Sequence, residues 1–344
     1  MIKAPGFWWR RRPTAAALGL APAGLVYGAV SASRMRRPPE LVAPVPVVCI
    51  GNFTVGGAGK TPTALALARI ARTLGRTPGF LTRGYGGRAG AAAVVDPAIH
   101  DPAIVGDEAI LLAAEAKTVV SADRPAGARL LVEEGVDLVI MDDGFQNPAL
   151  AKDLSLLVVD GGAGIGNGFV FPAGPLRAPL AAQMVRADAV LVVGEGAAGD
   201  KLVRRAARAG KPVLRARLEP VPDQTFDAAG YLAYAGIGRP EKFFDSLVAA
   251  GVPLKEARGF PDHHVFTVED AHRLRARAAE ADLALISTEK DMARLARATR
   301  ERGELRERTT VFRVRLAFAD EGRVRALFTD MLRRIAVARP RPVQ

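Results

Sequence analysis

Cysteine is almost absent from this sequence. Cys49 is the single cysteine among 344 residues, so no disulfide can form within the chain, and nothing indicates an oxidising compartment. Cys49 lies in an apolar run, where a free cysteine usually packs as a small core residue. Aromatic residues are also few, at 6%, and no basic face interleaved with aromatic residues stands out. Nucleic-acid binding is therefore not supported.

Apolar residues, at 49%, and charged residues, at 24%, make up most of the chain. That balance is typical of a folded protein rather than of a disordered one. Short apolar runs alternate with helical patterns along the sequence. This alternation predicts an α/β fold with a mostly parallel sheet that is covered on both faces.

Positive charge is concentrated near the start of the chain. The net charge is +12, and the first forty residues carry seven Lys or Arg residues against one Glu. These charges flank an uncharged, largely apolar stretch at 13–33, which follows Phe7, Trp8 and Trp9. Tryptophan and arginine beside an apolar helix suit a membrane–water interface, so we expect a helix lying in the cytoplasmic leaflet. A spanning helix and a helix covering the protein's own core remain alternatives. No convincing cleavage site supports a signal peptide.

A glycine-rich loop follows a short apolar run at 45–50, which predicts a buried parallel strand. A helix is predicted directly after the loop, at 61–74. Backbone N–H groups of such a loop converge on phosphate, while Lys60 can reach the β- and γ-phosphates and the Thr61 hydroxyl can ligate Mg²⁺. The usual pattern has glycine where Thr54 stands. The predicted ATP-binding residues are Thr54, Val55, Gly56, Gly57, Ala58, Gly59, Lys60 and Thr61.

Acidic residues occur at two places where they suit metal or proton chemistry. Asp142 and Asp143 end an apolar strand predicted at 138–141, from which a P-loop protein can hold Mg²⁺. Asp107 and Glu108 lie at a predicted helix start, where acidic residues also serve as simple caps.

The second half of the chain contains a histidine pair in the segment FPDHH at 260–264. An Asp–His pair can accept a proton, although two histidines in a polar loop also occur as a solvated turn. The motif register favours His263 over His264. A charged segment, STEKD at 287–291, follows another apolar strand and either lines a cleft or caps a helix.

Together these motifs resemble one family, the tetraacyldisaccharide 4′-kinases of lipid A biosynthesis. The matching segments run in the same order along nearly the whole chain. They are FWW (7–9), GNFTVGGAGKTP (51–62), LTRGYGG (81–87), GDEA (106–109), DDGFQN (142–147), PAGPLR (172–177), YAGIGRPEKFF (234–244), FPDHH (260–264) and STEKD (287–291). The resemblance implies an enzyme that uses MgATP to phosphorylate the 4′ hydroxyl of a tetraacylated glucosamine disaccharide 1-phosphate.

The resemblance also implies residue roles and a location. Asp107 would be the catalytic base, supported by His263, and Asp143 would take part in catalysis. The Mg²⁺ ligands would be Thr61, Asp142 and Glu108. The partners would be the lipid disaccharide and the cytoplasmic leaflet of the bacterial inner membrane, with no nucleic acid, and we expect a monomer.

Two positions depart from the family pattern. Many relatives have histidine where Asn147 stands and glutamate where Ala178 stands. Asn147 can donate a hydrogen bond but cannot serve as a proton acceptor, so neither position is carried over as a site.

The predicted organisation has four parts. Residues 1–38 form the membrane-associating helix, 39–222 the P-loop kinase domain, 223–338 a smaller α/β domain, and 339–344 a disordered tail. One alternative function is a membrane-associated ATPase switch of the partitioning type, but such loops have a lysine where Val55 stands. Another is a P-loop kinase for a soluble sugar or nucleotide, which acyl-chain dependence of the rate would distinguish.

Overall fold

The chain folds around two sheets that both consist mainly of parallel strands. The computed structural model describes residues 4–10, 12–84, 91–295 and 300–338. Residues 85–87 of the LTRGYGG segment and the tail predicted to be disordered, 339–344, lie outside the described residues. The strands are β1 (Val47–Asn52), β2 (Pro78–Thr82), β3 (Ala93–Val94), β4 (Thr118–Val120), β5 (Leu138–Asp142), β6 (Leu154–Asp160), β7 (Ala189–Val193), β8 (Val213–Pro220), β9 (Tyr231–Ala235), β10 (Leu254–Gly259), β11 (Ala284–Thr288), β12 (Thr309–Phe312) and β13 (Val314–Phe318).

Helices connect most of these strands, and a short 3₁₀ helix at Gly6–Trp9 precedes them. The helices are α1 (Ala15–Met35), α2 (Lys60–Thr73), α3 (Pro102–Val105), α4 (Asp107–Ala113), α5 (Arg124–Glu133), α6 (Leu180–Arg186), α7 (Ala197–Arg208), α8 (Pro240–Ala249), α9 (Val268–Glu280), α10 (Glu289–Arg294), α11 (Arg300–Glu307) and α12 (Glu321–Ala338).

The larger sheet has nine strands in the order β13-β8-β7-β6-β1-β5-β2-β4-β3. Its pairings are parallel except at the two edges, where β13 pairs with β8 and β3 with β4 in antiparallel fashion. The smaller sheet has four parallel strands in the order β10-β9-β11-β12. The predicted α/β fold with a mostly parallel sheet is therefore confirmed.

Helices cover both faces of the larger sheet, which is why β1 is buried along its whole length. On one face, Leu67 of α2 and Phe328 of α12 pack in the core. On the other face, Met35 of α1, Leu131 of α5 and Leu202 of α7 pack in a second core. α1 and α7 therefore share one face of the sheet, and α12 lies on the opposite face.

The end of the chain returns to the larger sheet. β13 pairs with β8, and α12 joins the core beside α2. The prediction that the whole range 223–338 forms the smaller domain therefore does not hold for residues 314–338. In the sequence, the largely apolar run at 311–316 looks like one continuous strand. Arg313 interrupts that run, so β12 joins the smaller sheet and β13 joins the larger one.

Helix α1 contacts the protein along one narrow face. A Cβ atom on Gly24 would lie 2.9 Å from the Val170 carbonyl oxygen, so glycine permits the close approach of the helix. The opposite face exposes Leu18, Leu25 and Val26 at 57%, 74% and 67%. Among the described residues, α1 is the one helix with the length and composition to cross a membrane, at a mean hydropathy of 1.5. A helix covering only the protein's own core would not leave this face open.

Candidate active site

The predicted phosphate-binding loop joins β1 to the N-terminus of α2. Gly56 and Gly59 have φ angles of 107° and 87°, a conformation that glycine adopts without strain. Lys60 and Thr61 open α2 and are both buried. Asn52 Nδ2 donates a hydrogen bond of 2.8 Å to the Gly56 carbonyl, which fixes the loop at the end of β1. The loop and the helix N-terminus thus form a site suited to phosphate.

Thr54 and Val55, the first residues of the loop, form backbone contacts like those of a strand. This extended backbone explains why glycine is not needed at Thr54. Thr54 forms an isolated bridge with Leu176, and the Val55 N–H donates to the Pro175 carbonyl over 2.8 Å. Arg177 Nε donates to the Thr54 carbonyl over 3.0 Å. Thr54 does not adopt a positive φ, so its backbone does not require glycine.

Asp142 ends β5 with its carboxylate inside the protein. Thr61 Oγ1 donates to Asp142 Oδ2 over 3.2 Å, while Asp142 Oδ1 is buried with no hydrogen-bond partner among the described residues. Burial and the negative charge of Glu108 raise the pKa of Asp142 to about 7. An open carboxylate oxygen beside a hydroxyl fits Mg²⁺, which proteins commonly bind through one or two carboxylates and the substrate phosphates.

Glu108 forms an ion pair with a lysine side chain. Lys290 Nζ from α10 donates to Glu108 Oε1 over 2.6 Å. The charge of Lys290 lowers the pKa of Glu108, and the charge of Lys60 adds to the effect. Glu108 therefore connects the phosphate loop electrostatically with α10. Among the described residues, no group of three His, Cys, Asp or Glu side chains forms a metal cage.

The Asp143 carboxylate contacts two cationic side chains beside the phosphate-binding loop. Asp143 has a φ of 56°, and Arg177 donates to both of its carboxylate oxygens, over 2.7 and 3.0 Å. Lys60 Nζ lies 3.6 Å from Asp143 Oδ2. Burial alone would raise the pKa of Asp143, but Lys60 and Arg177 outweigh burial and lower the pKa. The ionised carboxylate therefore positions two cations at the phosphate loop.

Asp107 begins α4, the helix that packs against α10. Its Oδ2 accepts a hydrogen bond of 2.7 Å from Arg294 Nε and lies 3.4 Å from His263 Nδ1. Burial alone would raise the pKa of Asp107, but the His263 hydrogen bond and the Arg294 charge hold it well below its usual range. The same hydrogen bond raises the pKa of His263. Asp107 is therefore an ionised carboxylate beside an imidazole.

Arg294 also binds a second buried carboxylate. Its Nη1 donates to Asp291 Oδ1 over 2.9 Å and to the Gly236 carbonyl over 2.5 Å. Asp291 is fully buried and accepts a further hydrogen bond from the Gly236 N–H. Arg294 thus pairs with Asp291 of its own helix, α10, and with Asp107 of α4.

The two neighbouring histidines have different surroundings. His264 Nε2 lies 2.9 Å from Asp270 Oδ2, in the cap of α9, and its ring stacks on Phe260. His263 faces Asp107 instead. The structure therefore brings His263, and not His264, to the candidate base.

Asn147 and Ala178, the two residues that depart from the family pattern, form local hydrogen bonds within the fold. Asn147 Oδ1 accepts a hydrogen bond from the Ala149 N–H over 2.9 Å, within a turn. Ala178 is fully buried, and its carbonyl accepts a hydrogen bond from Gln183 Nε2 over 2.7 Å.

Comparison with known proteins identifies the family. Residues 16–333 match the family model described as LpxK, tetraacyldisaccharide-1-P 4′-kinase.

The chain belongs to this family.

Curated relatives carry the name tetraacyldisaccharide 4′-kinase. The protein of Methylorubrum extorquens (strain PA1) is 52% identical over 324 residues, which cover 94% of this chain and 97% of the relative. That of Bradyrhizobium sp. (strain BTAi1) is 48% identical over 342 residues, covering 99% and 97%. The solved LpxK of Aquifex aeolicus in complex with ATP has a TM-score of 0.70 and 23% identity, covering 92% of this chain and 99% of that one. This last likeness supports the fold.

The predicted family and kinase activity are confirmed, and the partitioning-type switch is not favoured. Membership in this family places the chain in lipid A biosynthesis. The roles of individual residues stay predictions.

Sequence reasoning assigned no role to three side chains that the structure brings into the site. Arg177 lies in the PAGPLR segment and Lys290 in STEKD, so both lie inside segments that match the family pattern. Arg294 follows STEKD by three positions. Its partner Asp107 is 187 residues away, and no local pattern links the two.

Proposed function

We propose that this kinase transfers the γ-phosphoryl group of ATP to the 4′ hydroxyl of a tetraacylated glucosamine disaccharide 1-phosphate, with Asp107 as the base. The observation that carries the proposal is that α4, which begins with Asp107, packs against α2, which begins with Lys60 and Thr61 of the phosphate loop. Glu108, next to Asp107, raises the pKa of Asp142, and Lys60 lowers the pKa of Glu108. The proton acceptor and the phosphate-binding groups thus share one site.

The loop amides and Lys60 bind the β- and γ-phosphates, and Arg177 adds a second cation held by Asp143. Thr61 and Asp142 are the residues that would hold Mg²⁺, with Glu108 close to them. Mg²⁺ neutralises charge on the β- and γ-phosphates when it is bound. Phosphoryl transfer depends mainly on such positioning and charge stabilisation.

Asp107 accepts the hydrogen bond of the attacking hydroxyl and orients its oxygen towards the γ-phosphorus. Because its pKa is low, the carboxylate is ionised and ready to accept at neutral pH. In a loose transition state the hydroxyl proton leaves late, so orientation matters more than strong basicity. His263 holds the Asp107 carboxylate from the side of the smaller sheet.

The direct test is incubation of purified protein with ATP, Mg²⁺ and the disaccharide 1-phosphate in detergent micelles. We expect a product one phosphate heavier, with the new phosphate at the 4′ position by mass spectrometry and NMR. An acceptor of the same sugar without acyl chains is the control for a soluble-sugar kinase. Equal rates on both acceptors, or ATP hydrolysis without transfer, would contradict the proposal.

We also propose that α1 lies in the cytoplasmic leaflet and that residues 39–222 with 314–338 act as one lobe and 223–312 as the other. The exposed apolar face of α1 supports membrane association. The monomeric state and the lack of nucleic-acid binding stay predictions.

Replacing Leu25, Val26 and Val30 together by Gln is expected to weaken binding to neutral phosphatidylcholine vesicles by on the order of 100-fold or more. Each apolar side chain contributes roughly 1.5 kcal/mol or more when it leaves water. Vesicle co-sedimentation measures the effect. The matched control replaces Ile99, Val248 and Val337 by Gln, three exposed apolar side chains outside α1. Unchanged vesicle binding of the α1 variant would rule out this surface.

A further inference from the structure

Helix α7 carries a stripe of positive charge that the proposed reaction does not use. Lys201, Arg204, Arg205 and Arg208 follow one another at helical spacing, so they lie on one face, and all four are exposed. The nearby Asp200 pairs with Arg215 at 3.0 Å. Within the described part of the chain, none of the four cations forms an ion pair. The stripe therefore keeps its full charge.

A cavity of about 430 Å³ separates this stripe from the loop at 165–168. The loop supplies no charged side chain to the cavity, since Ile165, Gly166, Asn167 and Gly168 form that wall. The cavity thus has one cationic wall and one neutral wall. Such a site suits a phosphate-bearing group attached to a larger neutral body.

The neutral wall connects directly to the N-terminal aromatic segment. The Asn167 N–H donates to the Trp8 carbonyl over 2.7 Å, and Trp8 Nε1 donates to the Pro172 carbonyl over 3.0 Å. The Phe171 ring lies edge-on to Trp8 and to Tyr27 of α1, with centroids 6.0 and 5.3 Å apart. The exposed rings of Tyr27 and Phe171, which pack over the buried Trp8, therefore lie between the apolar face of α1 and the loop that forms the neutral wall.

The packing of both helices places them on the same side of the molecule. Met35 of α1 and Leu202 and Ala206 of α7 belong to one core on one face of the larger sheet. A membrane that receives the apolar face of α1 would lie near the α7 stripe.

We propose that the α7 stripe binds the phosphate-bearing headgroups of anionic phospholipids in the membrane on which α1 lies. This inference rests on the proposed membrane association of α1 and extends it with a second contact. The apolar side chains of α1 supply binding that does not depend on lipid charge. The cations of α7 supply binding that does, and two separate contacts also fix the orientation of the enzyme at the surface.

The test compares two triple variants with the same change in charge. One replaces Arg204, Arg205 and Arg208 by Gln on α7. The control replaces Arg323, Arg333 and Arg334 by Gln on α12, on the opposite face of the sheet. All six side chains are exposed, and circular dichroism with thermal unfolding confirms that each variant is folded.

The α7 variant is expected to bind vesicles containing phosphatidylglycerol ~100-fold more weakly than the wild type at low salt, because each basic residue near an anionic membrane strengthens binding about fivefold. Binding to pure phosphatidylcholine vesicles should not change. High salt should remove the difference, and the α12 control should stay close to the wild type.

If both triple variants lost vesicle binding equally, the effect would come from net charge alone, and the inference would be overturned. The inference would also be overturned if the α7 variant bound phosphatidylglycerol vesicles like the wild type. The same holds if the only defect of the α7 variant were a raised KM for ATP in micelles. Failure of the α1 proposal looks different, since the wild type would then not bind neutral vesicles. Failure of the proposed kinase reaction appears only in the transfer assay.

Discussion

Replacing Asp107 by Ala is expected to lower kcat for transfer to the lipid acceptor by ~10²–10⁴-fold, the usual contribution of a positioned proton acceptor. The carboxylate is buried, ionised and held between Arg294 and His263, so the variant loses the group that orients the hydroxyl. Because the phosphate loop is untouched, the KM for ATP should change little. Initial rates over a range of ATP and acceptor concentrations in micelles separate the two parameters.

The matched control is Glu115→Ala, which removes a surface carboxylate paired with Arg72 at 3.5 Å and should leave kcat unchanged. Asp107→Asn keeps the size of the side chain and should show the same loss as Ala, since the amide lacks the negative charge. Transfer at nearly the wild-type rate in either Asp107 variant would eliminate Asp107 as the base.

A substitution of His263 provides a second test of the Asp107–His263 pair. The pKa of His263 is raised by Asp107, so the imidazole is protonated and positively charged below that raised value and neutral above it. His263→Gln should therefore remove one step from the pH dependence of kcat, near or above the ordinary histidine range. A pH profile identical to that of the wild type would show that the imidazole does not act on the base.

Local patterns in the sequence were enough to predict the parts of this site that depend on neighbouring residues. The glycines of the loop, the apolar strand before Asp142 and the helix start at Asp107 are each set within a few positions. Each pattern has a direct physical cause, such as the positive φ of Gly56 and Gly59 or the double-sided burial of β1.

Contacts between distant segments were not predictable in this way. Arg177 reaches Asp143 across 34 positions, and Arg294 reaches Asp107 across 187. The return of β13 to the larger sheet also depends on tertiary pairing, because Val314 and Phe312 look alike as strand residues. A one-residue interruption at Arg313 decides between two sheets, and its backbone N–H bonds to the Gln224 side chain rather than to a strand.

Replacing Arg294 by Ala is expected to lower the free energy of unfolding by about 3–5 kcal/mol, the cost of removing one partner from a buried ion pair. The Arg294 side chain is 8% exposed, while Asp107 and Asp291 are 6% and 0% exposed. Without the guanidinium, two buried carboxylates lose their main cation. Denaturant unfolding followed by circular dichroism measures the change, with an equal slope in both proteins as a check.

The loss should depend on pH in a defined direction. In the wild type, His263 and Arg294 together hold the pKa of Asp107 low, so this contribution to stability is present above the ordinary aspartate range and is lost as pH falls through the lowered pKa. Removing Arg294 raises the pKa of both carboxylates. Protonation then relieves the unpaired charge in the variant, and the stability difference should be largest at neutral pH and smaller at mildly acidic pH.

Arg277→Ala is the matched control, because Arg277 also contacts two carboxylates, Glu256 and Glu280, but on the surface. Solvent screens such pairs, so this variant should unfold almost like the wild type at every pH. If the two variants instead lost equal stability, the buried position of Arg294 would not matter. A large loss confined to Arg294, together with reduced kcat, would show that one guanidinium both joins α10 to α4 and keeps the Asp107 carboxylate in place.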